Sequence, residues 1–229
     1  GSAYIYHRTD TNSWTSVDKI LAPDGSSDDF FGRSVSIAGD RAAVGASGAD
    51  SGGYVYVFLR TDTNQWDAEA KLVSSDLATL DAFGRSVAIL GDYVVVGAYG
   101  DDDNGSRSGS AYVFHRTSGS TWDSGTKLTA SDGAEEDFFG YSVALETDRV
   151  VVGAYCDDDN GTSSGSAYVF QKVDTNSWDS GTKLLPSDGE SYEKFGHSVS
   201  VAGELALIGA YWDDDEGLQA GSAYVMKAP

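Results

Sequence analysis

Three short acidic stretches carry the densest ligand chemistry of the chain. They are Asp101-Asp102-Asp103-Asn104-Gly105, Asp157-Asp158-Asp159-Asn160-Gly161 and Asp213-Asp214-Asp215-Glu216-Gly217. Ten carboxylates crowded into three loops repel one another unless water or a cation neutralises them. Calcium takes several oxygen ligands from a tightly turning loop that contains a glycine. The candidate ligands are therefore Asp101, Asp102, Asp103 and Asn104; Asp157, Asp158, Asp159 and Asn160; and Asp213, Asp214 and Asp215. Calcium is the expected cofactor, and solvated acidic turns are the alternative. With Gly105 as the turn glycine at the sixth position, the first position is Gly100, replaced by Cys156 and Trp212 in the other two loops. The ninth is Ser108, Ser164 or Ala220, so weak, partly hydrated sites fit better than tight ones. The matching earlier stretch, Gly48-Ala49-Asp50-Ser51-Gly52, has a single acid.

A second set of acids comes in pairs five residues apart: Asp24 and Asp29, Asp76 and Asp81, Asp132 and Asp137, Asp188 and Glu193. Such residues satisfy backbone amides in turns, and could also complete a metal site or hold a sugar. Trp14, Trp66, Trp122 and Trp178 recur at equivalent places, which points to packing. Trp212 stands apart, inside an acidic loop. With Tyr99, Tyr155 and Tyr211 it forms a candidate surface for a glycan or protein ligand, an aromatic face beside hydrogen-bonding carboxylates. Asn104-Gly105-Ser106 and Asn160-Gly161-Thr162 are acceptor sequences for N-linked glycans if the chain is secreted by a eukaryote. His7, His115 and His197 belong to no nucleophile or zinc motif. Acid pairs can serve a glycosidase, but four near-copies of one loop indicate repeated structure. The chain is expected not to be an enzyme.

The elements that must position these loops repeat along the whole chain. Phe-Gly pairs begin at Phe31, Phe83, Phe139 and Phe195, and Gly-Ala pairs at Gly45, Gly97, Gly153 and Gly209. Gly-Ser-Ala-Tyr-Val-Phe or a variant starts at Gly1, Gly53, Gly109, Gly165 and Gly221. Each unit reads as four short strands rich in Val, Ile, Tyr, Phe and Trp, bounded by Gly, Asp, Asn and Ser. On the first strand Ser86 and Ala88 alternate with Val87 and Ile89, so that small residues permit close approach of a neighbouring sheet. The expected fold is an all-β propeller of four-stranded antiparallel blades, with a sandwich or β-solenoid as the alternative.

A Phe-Gly pair, a Gly-Ala pair and an Asp-rich loop, recurring in that order, resemble the FG-GAP repeat of integrin-α-like β-propellers. The third residue of the Gly-Ala-Pro signature is absent: Ser47, Tyr99, Tyr155 and Tyr211 stand there. The resemblance implies a single propeller domain over 1–229, calcium at the Asp-rich loops, and extracellular or cell-surface adhesion to a protein or glycan. Full blades are expected at about 31–73, 83–128 and 139–185, with residues 1–21 completing or abutting the blade of 195–229. The strands at Tyr4 and Tyr224 then claim one place. A larger propeller, an edge cap, or self-association through a terminal strand each resolve that conflict. Assembly into a structural building block and carbohydrate binding as a lectin remain the alternative functions.

Composition narrows the partners. Lys and Arg number 15 against 36 Asp and Glu, a net charge of −21. Such a surface repels nucleic acid and anionic lipid. No apolar run is long enough for membrane insertion, and a hydrophobic content of 40% with 12% aromatics is too rich for a disordered acidic chain. The lone Cys156 rules out an intramolecular disulfide.

Overall fold

The computed structural model describes residues 1–48, 52–63 and 65–228, and of Ser16 and Val17 the backbone alone. Among the described residues there is no helix. The strands are β1 (Ala3–Asp10), β2 (Ser13–Ile20), β3 (Phe31–Ala38), β4 (Arg41–Ala46), β5 (Tyr54–Asp62), β6 (Gln65–Leu72), β7 (Ser86–Leu90), β8 (Tyr93–Ala98), β9 (Ser110–Ser118), β10 (Thr121–Trp122) and β11 (Thr126–Leu128). They continue with β12 (Phe139–Leu145), β13 (Arg149–Ala154), β14 (Ser166–Asp174), β15 (Ser177–Trp178), β16 (Thr182–Leu184), β17 (Phe195–Ala202), β18 (Leu205–Ala210) and β19 (Ser222–Lys227). They form five antiparallel sheets in chain order: the β1–β2 hairpin, β3–β6, β7–β11, β12–β16 and β17–β19.

The fourth strand is continuous in the 31–72 sheet but broken in the next two. Gly125 (φ 79°) and Gly181 (φ 78°) adopt a conformation closed to the equivalent Glu69. The carboxylate of Asp123 fills the break by accepting the amides of His115 and Gly125, both at 3.0 Å. Asp179 does the same for Gln171 and Gly181.

The β7–β11 and β12–β16 sheets bury both faces, which explains the unbroken apolar runs of their second strands. In β8, Val94 and Val96 join a core with Val55 and Val57 of the preceding sheet, while Val95 joins Val150 and Val152 of the following one. A fully buried Val contributes roughly 1.5–3 kcal/mol. Backbones meet where side chains are smallest. Ser34, Ser86 and Ser142 donate their hydroxyls to the Gly84, Gly140 and Gly196 carbonyls of the next sheet at 2.8, 2.9 and 2.7 Å. A Cβ on Gly97 would lie 1.8 Å from the Gly140 oxygen, and one on Gly153 would lie 1.9 Å from the Gly196 oxygen. The amides of Phe83, Phe139 and Phe195 reach back to the carbonyls of Gly52, Ser108 and Ser164.

The two terminal sheets each leave apolar residues uncovered. Strands β1 and β2 pair with each other and pack Ala3 and Ile20 on the core of the 31–72 sheet, while β19 pairs with β18. Val35 and Ile37 are consequently 62% and 58% exposed, whereas their counterparts Val87 and Ile89 are buried. At the other end Leu207 and Val225 are 47% and 67% exposed, against buried Val151 and Val169. Trp66 is buried and Trp122 and Trp178 pack against the preceding sheet, but Trp14 is exposed because no sheet precedes its own. Packing therefore accounts for three of the four recurring tryptophans.

Gly153→Ala and Gly91→Ala separate close approach from backbone conformation. Gly91 (φ 57°) has no atom within 4 Å of its would-be Cβ. Its alanine should lower the melting temperature by about 3–6 °C, from ~1–2 kcal/mol of left-handed strain. Gly153→Ala should lower it by more than twice as much. Equal losses in thermal unfolding would show that the sheets do not depend on backbone contact there.

Candidate functional site

The acidic loops fold around a lysine. Lys127 on β11 lies opposite Tyr112 on β9, and Lys183 on β16 lies opposite Tyr168 on β14. Residues opposite one another across two strands share a face of the sheet, so ammonium and phenol reach the same carboxylates. Lys127 Nζ is 2.8 Å from Asp76, 2.9 Å from Asp101 and 2.5 Å from Asp103. The Tyr112 hydroxyl adds bonds to Asp76 and Asp101 at 2.9 and 3.0 Å. Lys183 repeats the arrangement with Asp132, Asp157 and Asp159 at 2.8, 2.8 and 2.6 Å. Lys71 reaches Asp24 at 2.7 Å in the first copy, where Ala49, Asp50 and Ser51 of the loop lie outside the described residues.

Burial opposes the charge on Lys127 and Lys183, but the carboxylates outweigh it and hold both far above the ordinary lysine range. Asp76 and Asp132 are conversely held low: burial works against their ionisation, and the lysine hydrogen bonds overcome it. The oxygens of Asp76, Asp101 and Asp103 lie within 4.8 Å of one another, close enough to share an ion. A lysine ammonium has three N–H donors, and here three carboxylates take them. Calcium requires six to eight oxygens around the place this nitrogen fills. The acidic cluster is present, and a cation entering it would have to displace the lysine ammonium.

The remaining expected ligands turn into their own loops. Asp102 accepts the Arg107 amide at 2.7 Å and Asp158 the Ser163 amide at 2.6 Å. The Asn104 and Asn160 amides donate to Ser108 and Ser164 hydroxyls, with both asparagines exposed. The second acids of the spaced pairs organise turns: Asp29, Asp81, Asp137 and Glu193 accept the amides of Ser26, Ala78, Ala134 and Glu190. In the last copy Asp213 is buried and bonded to the Tyr224 hydroxyl at 2.7 Å. Asp215 has its pKa raised, first by Asp213 and further by Asp188 and Asp214, and among the described residues no lysine is paired with this group.

The four residues expected to meet a ligand lie on one run of rings. Tyr99 contacts Tyr141 at 5.6 Å, Tyr141 contacts Tyr155 at 4.4 Å, and His197 lies 5.6 Å from Tyr155 and 4.4 Å from Tyr211. Trp212 ends the run 5.4 Å from Tyr211. Phe138 stacks on Tyr155 at 5.4 Å. Cations edge the run: Arg85 lies 4.2 Å over the Tyr141 ring and bonds its hydroxyl at 2.6 Å, and Lys194 flanks Tyr155 and Trp212. Burial, then the charges of Arg85 and Lys194, holds His197 below the ordinary histidine range. Tyr141, His197, Phe138 and Arg85 were not singled out as ligand residues by sequence. Tyr141 and His197 follow the Phe-Gly pair as Arg33 and Arg85 do, and the changing residue type hid their shared position.

A family model described as FG-GAP repeat matches residues 14–58, 66–114, 122–170 and 178–226. No curated protein matches the chain. No helix among the described residues is long and apolar enough to cross a membrane.

Two expectations follow from the lysine sites. Thermal unfolding in millimolar calcium and in chelator should coincide. Lys127→Met should cost about 1–3 kcal/mol, towards the lower end because Asp103 is largely solvated, and should make the melting temperature calcium-sensitive. A calcium response in the unaltered chain would refute the lysine assignment. The pH profile is the second. Burial first, and Asp157 and Asp158 beyond it, push Asp137 up to about 6. A raised folded-state pKa stabilises as the group protonates, so stability should grow as pH falls from 7 towards 5. The depressed Asp76 and Asp132 act oppositely, and their stabilisation is lost as pH falls below about 4 through their folded-state pKa values. Calorimetry should therefore find a maximum near pH 5, and Asp137→Asn should flatten the rise between pH 7 and 5.

Proposed function

Because the chain belongs to the FG-GAP repeat family, we propose that it is a non-enzymatic binding module of the integrin-like propeller type, its stacked sheets serving as blades. It works outside the cell or at its surface and captures a carbohydrate. The observation that carries this reading is the continuous run Tyr99–Tyr141–Tyr155–His197–Tyr211–Trp212. It unites residues of three sheets and joins flat apolar faces to hydroxyls and ring nitrogens, the combination that stacks on a pyranose and bonds its hydroxyl groups. The loops beside it hold Leu80 (φ 78°), Phe138 (φ 56°) and Tyr192 (φ 75°) in the left-handed region. Bulky residues tolerate that conformation only where the surroundings enforce it, and such strain gathers at binding sites.

The reading is tested by titrating the full chain with neutral oligosaccharides while following tryptophan fluorescence. Trp212→Ala should weaken the retained sugar about 3–10-fold, the worth of one stacking contact, with an unchanged melting temperature. Failure of every saccharide to bind would overturn the proposal.

Self-association is a second reading, favoured by the two bare sheet faces and by Lys19. That lysine lies opposite Tyr4 in β2, as Lys127 lies opposite Tyr112. It matches what Asp188, Asp213 and Asp215 lack. Hairpin β1–β2 of one copy would bring Lys19 to the C-terminal sheet of another by taking the place of β19, and the Val35–Ile37 face would cover Leu207. Sedimentation should then show head-to-tail growth with concentration, abolished in Leu207→Glu and in Val35→Lys. Mixing the two variants should restore dimers and nothing larger. A monomer at all concentrations would exclude this reading.

A further inference from the structure

Positive charge is scarce in this chain, and several of its cations are bound to acids. Arg41 pairs with Glu69, Arg116 with Asp92 and Arg149 with Asp148, while Lys71, Lys127 and Lys183 serve the acidic loops. Three of the eight arginines nevertheless line one cleft of about 500 Å³. Arg33, Arg85 and Arg107 share its walls with Tyr99, Tyr141 and Tyr155. Arg107 is held by Glu136 at 3.3 Å, with both side chains at least half exposed. Among the described residues Arg33 and Arg85 have no carboxylate partner. Arg33 is exposed, and Arg85 rests on the Tyr141 ring and bonds its hydroxyl. An uncompensated guanidinium pair beside aromatic faces, in a chain of net charge −21, is a local inversion of the surface field.

We propose that this end of the aromatic run takes a carboxylate-bearing sugar, one uronate residue within an otherwise neutral oligosaccharide. The proposal rests on the carbohydrate-binding reading above and specifies its ligand. Arginine presents a planar fork that meets a carboxylate with two parallel hydrogen bonds. Arg33 and Arg85 supply the forks, and the tyrosine rings supply the stacking face for the same pyranose. The acidic surroundings set the upper limit on ligand charge. A polyanion lying across the loop face would meet Asp102, Asp103 and Asp158, whose repulsion extends over about 8 Å at physiological salt. A single carboxylate reaches the arginines without crossing that field.

The experiment is calorimetric titration of the full chain with cellobiouronic acid and with cellobiose, which differ by one carboxylate, at low and at physiological salt. The acid should bind at least tenfold more tightly at low salt, and salt should narrow the gap. Arg33→Gln, which removes a side chain without a carboxylate partner among the described residues, should erase most of that preference and weaken cellobiose binding far less. Arg85→Gln should also reduce the preference for the acid, with its melting temperature and cellobiose affinity recorded because Arg85 also supports Tyr141. Equal affinity for acid and neutral sugar would overturn the uronate assignment and leave carbohydrate binding standing. Binding of Gly-Asp-Gly peptide with neither sugar retained would show the cleft to be a protein-recognition site, and binding of none of the three would overturn both proposals.

Discussion

Backbone touching backbone between sheets is the constraint on which the rest of the structure hangs. At Gly97 and Gly153 the space for a side chain is occupied by the carbonyl of a neighbouring Phe-Gly pair. That contact sets how near two sheets come, and so which side chains fit between them. Only Ser and Ala clear the near side of the first strand, and Val and Ile fill the far side. It also delivers the loops. The Phe amide of one sheet bonds the carbonyl at the end of the preceding acidic or equivalent loop. Loop position, ring position and core packing are thus one geometric decision made repeatedly.

In the two central copies the acidic loops meet a counter-charge of their own. The first acid of a spaced pair, two acids of the loop, the tyrosine of the third strand and the lysine of the fourth converge on one point. A protonated lysine supplies one positive charge where a divalent ion would supply two, and its stem buries apolar surface on the way. A negative remainder persists at each site, contributing to the strongly acidic surface. Against that background a few unpaired arginines acquire a weight they would lack on a neutral protein.

The repeat, the strands and the glycine punctuation were legible because periodicity reports local geometry, and because Phe-Gly and Gly-Ala recur without exception. Legibility failed where function depends on which element lies beside which. Lys127 closes a fourth strand in a Thr-Lys-Leu run, and nothing nearby in sequence links it to Asp76, fifty-one residues earlier. The acids of the loop were visible in sequence, while the lysine that meets them sat in another strand. Tyr141 and Arg85 occupy one repeat position with different chemistry, so a search for identical residues missed the pair. Trp14 shares the sequence context of Trp66, yet burial differs because burial belongs to the neighbouring sheet.

The self-contained counter-charge bears on how such chains change over generations. The stretch from Asp76 to Lys127 holds its own acids, base and tyrosine. Duplicating or deleting that stretch by unequal recombination moves the acids and their counter-charge together. Copy number can then change without parting an acidic loop from the lysine that meets it.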